Sequence, residues 1–457
     1  MVKLDAKNEG ISMQKDKTII RKTESVCPVC LAKLKADIVE KEGRVYMDKQ
    51  CDIHGGFNLL ISQHADYYRG LDEFYFSVMN KSFPQRDYIV HLTNRCELNC
   101  PICLAEANLR GTKDYPLENL KEFLKGKKGY KIDLMGAEPA MRKDLAEIIR
   151  TVRKSGNIAA LHTNGIKISD YNYLKELKES GLNEVHFQFD GFDDDVYEIL
   201  RGEKLLETKL KALENLERLN IATDLVATIA RGLNEKEMKK ILDFGIGHSF
   251  VKEIFFLGCR FLGKAKDLPV ERCMMPDELI DVLEEETNGA ISRQNIFRFQ
   301  KLYFALLSAF SIRKCFYIQH FLMVRRRGKE GYIPIDKIFD LESIQRNLER
   351  FKELKSRGSK LALPYLLSSL ALKVTSFRNL LWLKEFLAFA PPFIRGFDLS
   401  KLPQRGVLLG FISACDAYSL DYQIAQNCDK GAISCELGVQ DTGAIDNVLR
   451  DRLMKVN

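Results

Sequence analysis

Cys96, Cys100 and Cys103 stand close together in the string RCELNCPICLAEAN. Thiolates are the soft ligands that hold iron–sulfur clusters, and three of them can hold three irons of a cubane 4Fe–4S cluster. The fourth iron then lacks a protein ligand and is open to a small molecule. A zinc knuckle would instead want paired C-x2-C units and four ligands. Residues 87–94, just before the triad, alternate apolar and β-branched types, which predicts a strand. The three thiols therefore sit on a loop past a strand end, and we read them as the catalytic, cluster-binding set.

Two further groups of thiols follow the same logic. CPVC supplies Cys27 and Cys30, and CDIHG, about twenty residues on, supplies Cys51 and His54. Between them ADIVEKEGRVYMDKQ reads as a hairpin turned at Glu42 and Gly43. Two short loops joined by a hairpin, each with two ligands two residues apart, predict a metal-binding knuckle over residues 25–60. Zinc would make it structural; iron would make it redox-active. Near the C-terminus Cys415, Cys428 and Cys435 are spaced so that loops could fold around one metal centre. An auxiliary Fe–S cluster is expected there, with Cys315, another side chain or an open position as fourth ligand. Cys259 and Cys273 are given no role, because a lone cysteine is commonly a plain buried thiol.

CELNCPIC after a strand resembles the cluster loop of radical S-adenosylmethionine (radical SAM) enzymes. The longer string LNCPICLAEAN resembles the tetraether lipid synthase branch, which also includes enzymes that methylate a pterin precursor. The resemblance implies a 4Fe–4S cluster whose open iron binds SAM, and reductive cleavage of SAM to methionine and a 5′-deoxyadenosyl radical. The cofactor supplies that chemistry, and the protein supplies position and exclusion of water. CPxC…CxxHG is similar to the opening module of the same branch, where the metal is iron.

Six strand candidates alternate with helical patterns between residues 87 and 257: 87–94, 130–135, 158–163, 184–190, 223–229 and 252–257. Such alternation predicts an α/β fold, a partial (β/α) barrel of about six parallel strands, with ligands at the C-terminal strand ends. Those ends carry motifs. Met135–Pro139 resembles the family's GGEP turn, which gives Gly136 close backbone approach and Glu138 the methionyl ammonium of SAM. Thr163, Asn164 and Gly165 form a TNG turn that lies beside SAM in the family. Gln188–Gly191, QFDG, is similar to the branch's own motif; Gln188 and Asp190 are either cofactor-binding or turn and support residues.

The chain has 457 residues, with 46% hydrophobic and 29% charged, an ordinary globular composition sufficient for two or three domains. We divide it into a flexible arm (1–24), the knuckle (25–60), the radical SAM core (85–260) and a mainly helical C-terminal extension (261–457). Twelve cysteines with no apolar leader argue for metal in a reducing, cytoplasmic setting rather than for disulfides. The net charge of +7 is modest and spread out, so no nucleic-acid partner is expected. Basic runs at 125–128 and 325–327 read as solvated faces. No stretch is long and apolar enough to predict a transmembrane helix. Residues 360–400 are the most apolar part, either a buried helix pair or a surface for a lipid substrate and peripheral membrane contact.

These readings point to an enzyme that takes hydrogen from an unactivated carbon, with a lipid chain and carbon–carbon bond formation as the first expectation. A methyltransferase acting on a pterin-like heterocycle is the alternative. A degenerate Fe–S or electron-transfer protein without turnover is the reading from another class. An electron donor such as ferredoxin or flavodoxin is the implied protein partner.

Overall fold

Strands from the C-terminal part of the chain extend one sheet at both of its edges, and this places the site. The structure, a computed structural model, describes residues 17–371, 405–444 and 448, apart from 81, 110–112, 261, 268, 327–330, 414 and 441. Residues 360–400 therefore fall largely outside the described residues.

The first four strands, β1 (Thr18–Val26), β2 (Lys33–Lys41), β3 (Arg44–Cys51) and β4 (Gly55–Ser62), form an antiparallel meander. The β2–β3 turn falls on Glu42 and Gly43, both at positive φ, as a tight hairpin requires. Residues 18–24, expected as part of an arm, instead form most of β1. Their alternation is polar, yet Thr23 and Ser25 are buried because the strand is covered by the C-terminal tail. Arg21 and Thr23 both donate to Asp421, each at 2.7 Å, and Lys49 donates to the carbonyls of Ala417 and Tyr418.

The second sheet has eleven strands. Six are the predicted ones: β5 (Asp87–His91), β6 (Lys131–Met135), β7 (Ile158–Thr163), β8 (Glu184–Gln188), β9 (Ala222–Ile229) and β10 (Val251–Gly258). Helices such as Leu145–Lys154, Tyr171–Glu179 and Glu237–Gly247 return the chain between them. The remaining strands are β11 (Ile318–Arg325), β12 (Tyr332–Pro334), β13 (Gly406–Ser413), β14 (Gly431–Ser434) and β15 (Gly438–Gln440). The order is β12-β11-β13-β10-β9-β8-β7-β6-β5-β14-β15. From β13 to β14 all neighbours are parallel. The C-terminal extension is thus not simply helical: it adds a parallel strand at each end of the predicted six.

The two ends are tied to each other. Lys314, leading into β11, lies 2.8 Å from Asp429, which leads into β14. Arg325, expected on a solvated face, is buried and donates to the carbonyls of Ile246, His248 and Val251, capping the helix Glu237–Gly247. Among the described residues, no helix is long and apolar enough to cross a membrane.

Alternation along the parallel strands divides two environments. Ile132 and Leu134, Val185 and Phe187, and Ile254 and Phe256 face the helices and join the main core. Lys131 and Asp133, Glu184 and His186, Asp224 and Glu253 occupy the other face, and all are buried as well. The inner face of the barrel is therefore charged and largely buried.

Candidate active site

The loop after β5 is held closed by its own side chains. Asn108, at φ 66°, accepts from the Cys96 amide at 3.1 Å and donates to the Cys96 carbonyl at 2.9 Å. Leu98 packs with Tyr197 and Leu205 against Cys96 and Cys100, and Ile102 packs on Val196, Leu200 and Ala230. The apolar residues inside CELNCPIC thus anchor the loop on the helix Asp194–Arg201. Gly263, at φ 57°, brings its backbone under this loop; a Cβ there would stand 2.3 Å from the Cys103 carbonyl oxygen. The amides of Leu98 and Ala107 point at the sulfurs of Cys96 and Cys103, each at 3.3 Å.

The three thiols have no disulfide partner, and they are not drawn together as tightly as donors to a single ion. Cubane irons stand apart, so a wider spread is what a cluster needs. Burial, first of all, pushes the Cys96 thiol up to about 12, and Glu138, Glu97 and Cys100 add to it. A bound metal inverts that balance and takes thiolates outright. The donor set and the amides aimed at sulfur fit a 4Fe–4S cluster.

The turn after β6 passes beneath this loop. Gly136, at φ 137°, allows it, since a Cβ would lie 2.5 Å from the Thr93 carbonyl oxygen. Glu138 is fully buried; its oxygens accept from the Ala140 amide (3.0 Å), the Thr163 hydroxyl (2.9 Å) and the Asn164 amide (2.7 Å). Three of about four carboxylate lone pairs are so used. Burial pushes Glu138 up to about 7, with Glu97 adding to the rise. Both Glu97 oxygens are buried with no hydrogen-bond partner. Two carboxylates, one with a spare lone pair and one unpartnered, suit the ammonium of an amino acid such as the methionyl end of SAM. Asn164 also donates to the Cys96 sulfur at 3.6 Å, linking the TNG turn to the cluster loop.

Gln188 and Asp190 lie one step behind. Arg201 grips Asp190 through two nitrogens at 2.7 and 2.8 Å, and the Thr228 amide donates to it at 2.9 Å. Gln188 contacts Asp190 and accepts from Lys209 through its carbonyl at 3.0 Å. Lys209, fully buried, also donates to the Asn164 carbonyl, and burial pushes it down to about 7. Arg201 and Lys209 escaped the sequence reading. Lys209 interrupts an apolar stripe at 206, 213 and 216, a signal that was there to be read.

The knuckle residues meet. The donor atoms of Cys27, Cys30, Cys51 and His54 all lie within 4.8 Å of one another. His54 Nδ1 is 3.6 Å from Cys27 Sγ and 3.5 Å from Cys51 Sγ, and that contact, first of all, pulls Cys51 down to about 6. A tetrahedral Cys3His set of this size fits one zinc or iron. The C-terminal thiols divide. Cys415 and Cys428 stand with Cys315, close enough that both push its thiol up on top of burial. Cys435 is exposed elsewhere, its sulfur 3.8 Å from the Asp114 carbonyl oxygen.

Comparison with known proteins agrees with this geometry. Residues 90–245 match the radical SAM superfamily, and residues 19–63 match the HMPTM N-terminal zinc ribbon domain. The chain thus carries a radical SAM domain behind a zinc-ribbon domain. Over 310 residues it is 34% identical to a 7,8-dihydro-6-hydroxymethylpterin dimethyltransferase of Methanocaldococcus jannaschii, covering 61% of each protein. Over 164 residues it is 32% identical to a probable GTP 3′,8-cyclase of Pyrococcus abyssi, covering 35% of this chain and 53% of that one. The chain therefore spans between half and two thirds of these relatives. A Streptococcus suis protein crystallised with S-adenosylmethionine aligns with a TM-score of 0.39 at 15% identity, over 45% of this chain and 48% of that one.

Proposed function

We propose that this chain is a SAM-cleaving enzyme that methylates a polar, pterin-like heterocycle held on the inner face of its barrel. With a cluster on Cys96, Cys100 and Cys103 and SAM against Glu138, the site would supply reductive SAM cleavage and hydrogen abstraction from carbon. The chain's own part is to fix the SAM ammonium between Glu97 and Glu138, to hold the TNG turn through Lys209, and to exclude water.

The charged lumen carries the choice of substrate. Lys131, Asp133, Glu184, Asp224 and Glu253 line the inner face, and a cavity of about 130 Å3 continues from it past His186, Phe255 and Tyr303. Burial pushes both Asp87 and Glu253 up to about 7. An aminopyrimidinone ring presents N–H donors that such carboxylates can accept; a saturated chain offers none. The lipid expectation rested on the resemblance to the tetraether lipid synthase branch and on the apolar residues 360–400, most of which lie outside the described residues. The lumen therefore favours the heterocycle, and the dihydropterin dimethyltransferase similarity supports it. A ferredoxin- or flavodoxin-type donor would supply the electron, and Cys315, Cys415 and Cys428 would hold any auxiliary cluster.

The test is anaerobic turnover of the reconstituted protein with 7,8-dihydro-6-hydroxymethylpterin or with a total lipid extract. The pterin should stimulate 5′-deoxyadenosine release and gain a methyl group. Stimulation by lipid alone would overturn the heterocycle reading.

A further inference from the structure

Most charges on the inner face are answered by another charge. Lys131 pairs with Glu184, Lys430 with Asp133 and, at 2.8 Å, with Asp87, and Lys314 with Asp429 at 2.8 Å. Asp224 lies 2.6 Å from His186 Nδ1. Glu253 is the exception. It is only 3% exposed, and among the described residues its sole ion-type contact is His320 Nε2 at 3.9 Å, beyond hydrogen-bond reach. Burial, with Lys314 adding, holds His320 well below its ordinary pKa, so this neighbour is neutral. Lys314 and Lys131 pull on Glu253 from a distance, yet burial still pushes it up to about 7.

The side chain opens on the cavity of about 130 Å3 that also meets His186, Phe255 and Tyr303. Phe255, two residues further along β10, is half-buried and turns to the same side. Its ring leans over Gly410 of β13, where a Cβ would stand 2.2 Å from it, and meets His320 edge-on at 6.0 Å. Register carries this slot to the SAM turn. Glu253 pairs with Asp224, Asp224 with His186 and His186 with His162, so the four form one row across β10, β9, β8 and β7. His162 precedes Thr163, whose hydroxyl donates to Glu138.

We propose that Glu253 is the specificity-determining residue of the lumen: its two carboxylate oxygens accept the ring N–H and the exocyclic amino group of an aminopyrimidinone, while Phe255 meets the face of the ring. This rests on the heterocycle reading above and adds the orientation to it. The amino-bearing edge lies at Glu253, and the far edge points along β10 toward the strand ends that hold SAM. Two parallel N–H···O bonds to one carboxylate are the pairing arginine makes, strong and directional. Asp87, Asp133 and Asp429 already hold lysines, so Glu253 is the carboxylate with both oxygens to give. A ring carrying an oxo group in place of the amino group would turn a lone pair toward the carboxylate, and a buried site built for N–H donors rejects such a mismatch.

The test is binding, followed without turnover. The full, cluster-reconstituted chain with SAM and no reductant is dialysed anaerobically against 7,8-dihydro-6-hydroxymethylpterin or against the matching dihydrolumazine, in which an oxo group replaces the 2-amino group. The parent protein should prefer the pterin by roughly tenfold or more. Glu253→Gln should weaken pterin binding about 10- to 100-fold and narrow the preference, because an amide can donate to the oxo group. Phe255→Leu should weaken both ligands and keep the preference. Circular dichroism and cluster absorbance report folding of the variants. A purely structural role for Glu253 would lower both affinities together and leave the preference intact; that result would overturn the proposal, as would equal binding of the two ligands by the parent protein. Failure of the parent protein to bind the pterin would overturn the heterocycle reading and this inference with it, whereas pterin binding that is indifferent to Glu253→Gln would overturn the inference alone.

Discussion

The two cysteine arrays of this chain differ in how completely they are filled by protein. The knuckle brings four donors within 4.8 Å of one another, at the ends of strands of the N-terminal meander. The cluster loop offers three thiols, a wider spread, and unpartnered carboxylate oxygens on Glu97 beside them. A closed set satisfies its metal and stabilises a small sheet; an open set leaves a coordination position and unmet charges for a ligand. The knuckle is also gripped by the C-terminal tail through Arg21, Thr23 and Lys49, so its closure stabilises the same tail that adds β14 to the barrel.

Removing each array separately tests that contrast. Replacing Cys96, Cys100 and Cys103 together by Ala should abolish 5′-deoxyadenosine formation and lower iron by about four atoms per chain, since a cubane holds four. The fold should survive, because Leu98 and Ile102 still anchor the loop; iron analysis and circular dichroism read both outcomes. If the knuckle metal were lost as well, the two sites would not be independent.

Cys27→Ser should do the reverse. One metal per chain is lost, and the N-terminal sheet loosens, because structural zinc sites contribute about 10–16 kcal/mol of binding to folding. Limited proteolysis near residues 18–62 should accelerate while the cluster absorbance remains. Equal protection with and without metal would mean that the sheet stands on the tail contacts alone.

Asp190→Asn probes support rather than ligation. It leaves Arg201 buried beside a neutral partner, and breaking such a pair costs about 3–5 kcal/mol. Denaturant unfolding of the cluster-loaded protein measures this. If stability is unchanged and SAM affinity falls, Asp190 acts on the cofactor directly.

Glu138→Gln should have the smallest effect on stability and a selective one on SAM. Loss of a charge-assisted contact corresponds to about 1.5–3 kcal/mol, or roughly 10- to 100-fold in Kd. The pH dependence has a definite sign. Glu138 is raised from its ordinary 4.5 to about 7 in the folded chain. Its protonated form therefore favours folding below pH 4.5, and that contribution is lost as the pH rises through about 7. SAM binding should strengthen over the same rise, because the ammonium prefers the ionised carboxylate. Glu138→Gln should flatten both profiles, which titration calorimetry and thermal melts can follow.

Much of this was legible in the sequence. The order of strands from β5 to β10 follows from alternating patterns, and the knuckle hairpin from Glu42 and Gly43. The GxEP and TNG turns fall at strand ends, as expected. Less legible were the contacts made across long stretches of chain. β13, GVLLGFIS, is an apolar run whose parallel pairing with β10 depends on a return from over a hundred residues away. Cys435 looked like a partner of Cys415 and Cys428 by proximity along the chain. Space pairs those two with Cys315 instead, because Cys315 and Cys428 lie on segments leading into β11 and β14, which Lys314 and Asp429 join.

The charged lumen shows where the boundary falls. KIDLM and EVHFQ alternate polar and apolar residues, so the sequence by itself determined that each strand has two unlike faces. It did not determine which face meets water, since in most sheets the polar face is the solvated one. Closure of the sheet by strands from the far end of the chain decided that. It turned Lys131, Asp133, Glu184 and His186 inward, where desolvation forces each charge to find a partner or await a ligand.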